Sequence, residues 1–240
     1  AAESHVDNAF GNSLDFTRSN TLGTHTLLEA SRLNQVPLFI HVSTDEVYGE
    51  IDEGSFDETS NLNPSNPYSG SKAAAEMIVN SYWHSFSTPV IVVRGNNIFG
   101  IRQFPEKIVP KFAMQALTGR KMTLHGDGSY RRCYLAAEDF AKALILVIRE
   151  KALGEIYNIG SEDEFTNIEV ARMIGDHFGL KGDDYLEFVA DRPFNDSRYS
   201  IVFDKIMGLG WTPERKFSDT LPDVLAWYEK NKGRFIHLFD

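Results

Sequence analysis

The sequence predicts an α/β fold, a doubly wound parallel sheet joined to a smaller mixed α/β lobe, and three features predict it. Short apolar runs alternate with segments of helical period. Those runs are apolar almost throughout, as strands covered on both faces require. No linker rich in Gly, Pro or Ser divides the chain, so the second half reads as a lobe of interleaved segments.

The elements follow in order. Leu14 to Leu33 carries Leu22, Leu27, Leu28 and Leu33 at roughly helical spacing. Pro37 to Ser43 reads as a short buried strand. Tyr68 to Phe86 is Ala-rich and helical, and Pro89 to Arg94 is a second apolar strand. Ala137 to Lys151 reads as a helix and Glu155 to Gly160 as a strand. Thr166, with Glu169 three residues on, is a capping-box pattern that opens a helix through Phe178. Leu186 to Val189 suits another short strand, and Phe217 to Asn231 the last helix.

Composition narrows the function. The chain has 240 residues, 42% of them hydrophobic, enough to bury the core of one large or two modest domains. A formal net charge of −10 argues against a nucleic-acid partner. It leaves room for an anionic small molecule, because a few converging Arg and Lys can hold a pyrophosphate. The single cysteine, Cys133, excludes an intrachain disulfide and suits a cytoplasmic setting. The longest aliphatic run, Ala143 to Ile148, is too short to span a membrane. Ala1-Ala2-Glu3-Ser4-His5 has no signal-peptide character and no initiator Met. The seven His lack metal-ligand spacing, so no metal is expected, and His5 and His41 read as structural.

Two segments carry chemistry. Tyr68-Ser69-Gly70-Ser71-Lys72 puts a phenol and an ammonium on one helix face at i, i+4. A nearby cation eases ionisation of a phenol, so Tyr68 is a candidate base and Lys72 its activator. Alone, such a pair is more often a surface feature. Ser43-Thr44-Asp45-Glu46-Val47-Tyr48-Gly49 follows a strand directly, where open α/β sheets bind ligands. Alone, it would be a solvated turn. Together, one at a strand end and one opening the next helix, they point to a site.

These two segments resemble the active site of the dTDP-glucose and UDP-glucose 4,6-dehydratases, within the extended short-chain dehydrogenases/reductases. Related stretches span nearly the whole chain: Ala1 to Asp7, Gly95 to Gly100, Gln103 to Lys107, His125 to Gly128, Tyr157 to Gly160, Asp191 to Tyr199 and Leu209-Gly210-Trp211. The resemblance implies a Rossmann-type NAD-binding domain whose remainder covers 1–100. It implies a nucleotide-sugar-binding lobe in 101–240, with about 131–160 returning to the first domain.

The resemblance also implies roles. Tyr68 takes the C4 hydroxyl proton as hydride leaves for NAD, and Thr44 hydrogen-bonds that oxygen. Glu46 then removes the C5 proton while Asp45 protonates the departing C6 hydroxyl, and hydride returns to C6. The product is a 4-keto-6-deoxy sugar, as in rhamnose-type biosynthesis. Adjacent carboxyls manage this only if their surroundings set their pKa values apart. By position, Ala1, Ala2, Glu3, Ser4, Ser19 and Asn97 match cofactor contacts, with Tyr68 and Lys72. Ser4, Thr44, Asn96, Lys107, Ile108 and Arg132 match substrate contacts, as do Asn158, Arg192, Asn195 and Tyr199. Arg suits this work because its fork can bind phosphate bidentately. Trp211 and Tyr157 read as core.

The departures are informative. Cys133 stands where the family commonly has Asp, Phe99 where it has Tyr, and Ile101 where it has Pro. A sibling epimerase or decarboxylase would share Tyr68 and Lys72, but generally lacks adjacent Asp-Glu. A non-catalytic nucleotide-sugar-binding fragment is the other alternative. A homodimer packed through Leu14 to Leu33 and Tyr68 to Phe86 is expected. Arg94 to Asn97 resembles the dehydratase part of plant-type rhamnose synthases, which use UDP-glucose. No Gly-x-Gly-x-x-Gly turn precedes the first helix, where NAD pyrophosphate would sit. The expectation is therefore a chain truncated at its N-terminus, one that does not bind NAD alone although the full-length protein does. Fluorescence titration of the isolated chain with NADH tests this, and micromolar binding would refute it.

Overall fold

The computed structural model describes residues 2–239; Ala1 and its expected cofactor contact lie outside them. The main sheet has three parallel strands in the order β1 (Phe39–Thr44), β2 (Val90–Gly95), β6 (Ile156–Ile159). Between them come β3 (Asn97–Phe99), β4 (Met122–His125) and β5 (Arg131–Ala136), followed by β7 (Glu164–Thr166) and β8 (Leu186–Val189). β3, β5 and β7 form a second sheet, and β4 pairs with β8.

The strand β2 shows why its sequence is apolar throughout. Ile91 and Val93 pack toward Phe140, Ala143 and Val147 of helix α6 (Ala137–Glu150). Val90 and Val92 pack on the other face with Leu28, Val79 and Tyr82. A strand filled on both faces contributes roughly 1.5–3 kcal/mol for each buried Val or Ile. A third cluster lies under the C-terminal lobe, around Phe112, Leu124, Ile174, Phe217 and Tyr228.

Helical signals translate closely. Helix α4 runs Pro67–Phe86, α7 Asn167–His177 and α9 Phe217–Asn231. Thr166 caps α7 in a reciprocal box with Glu169. The expected helix Leu14 to Leu33 differs in its interior. After α1 (Val6–Gly11) and α2 (Ser13–Phe16), the chain makes a π-helical segment, Thr17–Leu22, before α3 (Gly23–Leu33). The wider i→i+5 turn shifts which side chains face inward. Helix α5 (Ile108–Leu117) and the short α8 (Asp204–Met207) complete the set. Among the described residues no helix is long and apolar enough to cross a membrane.

Two local devices set the positions that matter later. Asn66 caps α4: its Oδ1 accepts from Ser69 N at 3.0 Å, and its own N–H donates to Ser69 Oγ at 3.2 Å. Pro67 occupies the first helical position, so the start of α4, and with it Tyr68, is fixed to the residue. A 3₁₀ turn, Asp45–Tyr48, follows β1 and ends at Gly49 with φ +87°. A Cβ on Gly49 would lie 2.5 Å from the Asn63 carbonyl oxygen. Gly49→Ala should therefore cost about 1–3 kcal/mol, read as a lowered urea midpoint with unchanged slope.

Candidate active site

The parallel register aligns Thr44 with Gly95 and Gly95 with Ile159, so the strands of the main sheet end side by side. Beyond that edge opens a cavity of about 680 Å³. The loops after β1 and β2, the start of α4 and the C-terminal lobe all line it.

Thr44, Glu46, Tyr68 and Lys72 converge there. Burial, then the neighbouring Asp45, pushes the Glu46 carboxyl up to about 7; Arg132 and Lys107 act against them. Tyr199 donates its hydroxyl toward Glu46 Oε2 at 3.5 Å and also contacts Asp196. Arg132 lies over the Tyr199 ring, 4.6 Å from its centroid. Adjacent residues of a tight turn point different ways. Glu46 faces the cavity, whereas Asp45 turns back into the protein, 3% exposed. Asp45 Oδ2 accepts from Asn96 Nδ2 at 2.8 Å, and its Oδ1 accepts from Thr44 Oγ1 at 3.2 Å. Asn96 Oδ1 in turn accepts from Ser161 N at 3.0 Å, and a Cβ on Gly160 would lie 2.4 Å from that oxygen. Burial raises Asp45 as well, with Asn96 and Thr44 opposing. Asp45 thus lies one layer behind the wall made by Thr44 and Asn96.

Lys72 reaches the cavity beside Tyr68 and is hydrogen-bonded to β1. Its Nζ donates to the Val42 carbonyl at 2.7 Å, and burial lowers its pKa. Burial and the charges of Glu46 and Asp45 raise the Tyr68 phenol well above its ordinary range. A hydrogen bond with Thr44 is the one interaction there that favours its ionised form. The shared helix face was legible; that the ammonium would be held by a strand carbonyl was not.

The substrate-side residues fall into two groups. Ser4, Lys107 and Ile108 line one wall, where Lys107 Nζ donates to the Ser4 carbonyl. Arg132, Arg192, Asn195 and Tyr199 line another. Arg192 is paired with Asp7, and Asn195 Nδ2 donates to Asp191 Oδ1 at 3.0 Å. Asn96, Asn97 and Ala2 also reach the cavity. Three expected residues do not. Asn158 is fully buried, and its side chain is taken up by Tyr48 and by the carbonyls of Phe56 and Val202. Glu3 has its backbone N–H and carbonyl clamped by the Asn20 side chain, and its own side chain stays outside. Ser19 is turned away by the π-helical segment, which sends Asn20 to the cavity instead.

Sequence reasoning missed Asn20, Asn66, Asp196, His41 and Ser43, all on the cavity wall. Asn20 also donates to Ser71 Oγ at 2.9 Å, tying the π segment to α4. His41 and Ser43 stand two apart on one face of β1, a period-2 signal the sequence did contain. Both are buried, and their Nε2 and Oγ atoms have no partner among the described residues. Burial, then Lys72, lowers His41 to about 3, so its imidazole is neutral. Cys133 packs as expected, its thiol pushed up to about 12 by burial.

Comparison with known proteins places this geometry. The family model described as GDP-mannose 4,6 dehydratase matches residues 1–224. The trifunctional UDP-glucose 4,6-dehydratase/3,5-epimerase/reductase of Arabidopsis thaliana is 48% identical over 96% of the chain. The chain spans only 35% of that protein, about a third of its length. The human dTDP-D-glucose 4,6-dehydratase is 39% identical over 96% of the chain and 67% of its own length. The crystal structure of the Streptomyces venezuelae dTDP-glucose 4,6-dehydratase DesIV, with NAD and TYD bound, aligns at a TM-score of 0.95 with 39% identity. It covers 98% of this chain and 73% of that one. The matched span and the shared α/β fold agree, and the chain belongs to the GDP-mannose 4,6 dehydratase family of extended short-chain dehydrogenases/reductases.

Proposed function

We propose that this chain carries the active site of an NAD-dependent hydro-lyase that converts a nucleotide-activated glucose to its 4-keto-6-deoxy derivative. The observation that carries the reading is the pair of adjacent carboxyls, both raised by burial, one facing the cavity beside Tyr68 and Thr44 and one just behind. A 4-epimerase needs no such pair.

The chemistry follows from the residues. Thr44 and Tyr68 bracket the C4 hydroxyl, and Tyr68 receives its proton when ionised, the form that Thr44 favours. When bound, NAD supplies the acceptor for the C4 hydride and its donor to C6. The unpartnered Ser43 Oγ and His41 Nε2 offer polar contacts on the wall shared with Tyr68, Lys72 and Asn97, which fits such a cofactor. Oxidation at C4 acidifies the C5 proton, and Glu46, pushed up to about 7, is matched to remove it and to return a proton to C5 as hydride reaches C6. Asp45, raised by burial, is the donor assigned to the leaving C6 hydroxyl. Lys107, Arg132 and Arg192, with the positive N-terminal end of α5, suit the diphosphate.

In this reading residues 1–100 supply the cofactor wall and catalytic groups. Residues 101–240 mainly hold the nucleotide, with about 131–160 returning to the first part. UDP-glucose is favoured over dTDP-glucose by the higher identity to the plant relative. We further place the protein in the cytoplasm as a homodimer. Exposed Leu14, Leu22, Leu33 and Met77 on the paired helices support the dimer.

Glu46→Gln should reduce formation of the 4-keto-6-deoxy product about 10²–10⁴-fold, while reduced-cofactor absorbance still appears. Product at the wild-type rate would overturn the assignment; product analysis with both nucleotides decides the base. The same group sets a pH dependence. Glu46 must be ionised to act, so kcat/KM should fall about tenfold per pH unit below about 7 and level off above it. That acid limb should vanish in the residual activity of Glu46→Gln.

A further inference from the structure

We propose that Glu76, Arg94, Tyr48 and Asn158 form a buried strut that fixes the turn bearing Asp45 and Glu46 against the helix bearing Tyr68 and Lys72. The proposal rests on the function assigned above. It makes these four residues positioning residues: none lines the cavity. All four are buried, with Arg94 at 3% and Glu76 at 2% exposure.

The contacts form one chain. Glu76 lies on α4, four residues after Lys72 and eight after Tyr68, on the same face. Arg94, on β2, donates to its carboxylate from Nη2 at 2.6 Å and from Nε at 3.1 and 3.2 Å. Arg94 Nη1 donates to the Tyr48 hydroxyl at 2.6 Å, and its guanidinium carbon lies 4.7 Å from the Tyr48 ring centroid. Tyr48 donates onward to Asn158 Oδ1 at 2.8 Å. Tyr48 belongs to the 3₁₀ turn and sits two residues beyond Glu46. One polar chain therefore links the helix of C4 oxidation, two neighbouring strands and the turn of C5–C6 elimination.

Stability alone is a poor reason for it. A buried ion pair of this kind gains little over well-packed apolar residues of the same volume, because both charges lose their water. What a directional network adds is a fixed distance. The two ends are unequally anchored. Helix α4 has twenty residues and a capping box, whereas the turn has four residues. Weakening the strut should therefore move the turn, and Glu46 with it. A misplacement on the order of 1 Å can cost about 10²-fold in the step affected.

Tyr48→Phe removes one oxygen and keeps the ring, which stacks on Phe56 at 5.2 Å. In single turnover of the full-length protein, loaded with NAD, with nucleotide-glucose, C4 oxidation should keep its rate. Elimination should slow by about tenfold or more, so that reduced-cofactor absorbance accumulates transiently. Ellipticity, and UDP affinity by calorimetry, should match wild type. A purely structural role would lower both steps by one factor and leave their ratio unchanged, and that result overturns the proposal. Glu76→Gln should shift the same ratio, and the double variant should shift it no further than the larger single change; additive effects would overturn the strut. Glu46→Gln in the same assay separates the two readings. If it forms product without accumulating reduced cofactor, the assignment of the site fails. If it accumulates reduced cofactor while Tyr48→Phe behaves as wild type, only the strut fails.

Discussion

Two neighbouring carboxyl groups are withdrawn from water together where β1 ends, and the rest of the structure serves that arrangement. Charging both in so dry a place is unfavourable, so each is raised above its ordinary range. Their surroundings differ: Glu46 faces an open cavity with two cationic side chains in range, and Asp45 faces an amide and a hydroxyl. In the proposed reaction that difference gives two chemically similar groups separate tasks.

The fold provides the frame. In-register parallel strands bring three chain segments to one edge, and the crossover helix α4 begins where the Asn66 box puts it. Tyr68 therefore meets the turn after β1 although residues 49–66 lie between them in the chain. The C-terminal lobe closes the far side with Lys107, Arg132 and Arg192, so most of the positive charge around the cavity stands away from the sheet.

Much of this was legible in the sequence. The apolar runs of β1 and β2 mark a doubly covered sheet because each residue there has a neighbour on its own face. Thr166 with Glu169, and Tyr68 with Lys72, are local patterns that geometry keeps. What the sequence did not show was non-local. Asn158 resembles a ligand contact in a strand-end motif, and in the structure its Oδ1 accepts from the hydroxyl of Tyr48, 110 residues away. Ser19 gave its place to Asn20 because hydrophobic spacing does not reveal a π-helical turn. Lys72 was matched to Tyr68 by spacing within one helix, and the carbonyl it bonds belongs to strand β1. The three-residue strands β3 and β7 are too short to carry a period.

The Asn96 side chain has one further consequence. Its oxygen is committed to the Ser161 amide, so its nitrogen must face Asp45. Both oxygens of Asp45 thus meet donors, Oδ2 the Asn96 amide and Oδ1 the Thr44 hydroxyl. An amide that lines the cavity on its own account thereby also fixes the plane of the carboxyl behind it.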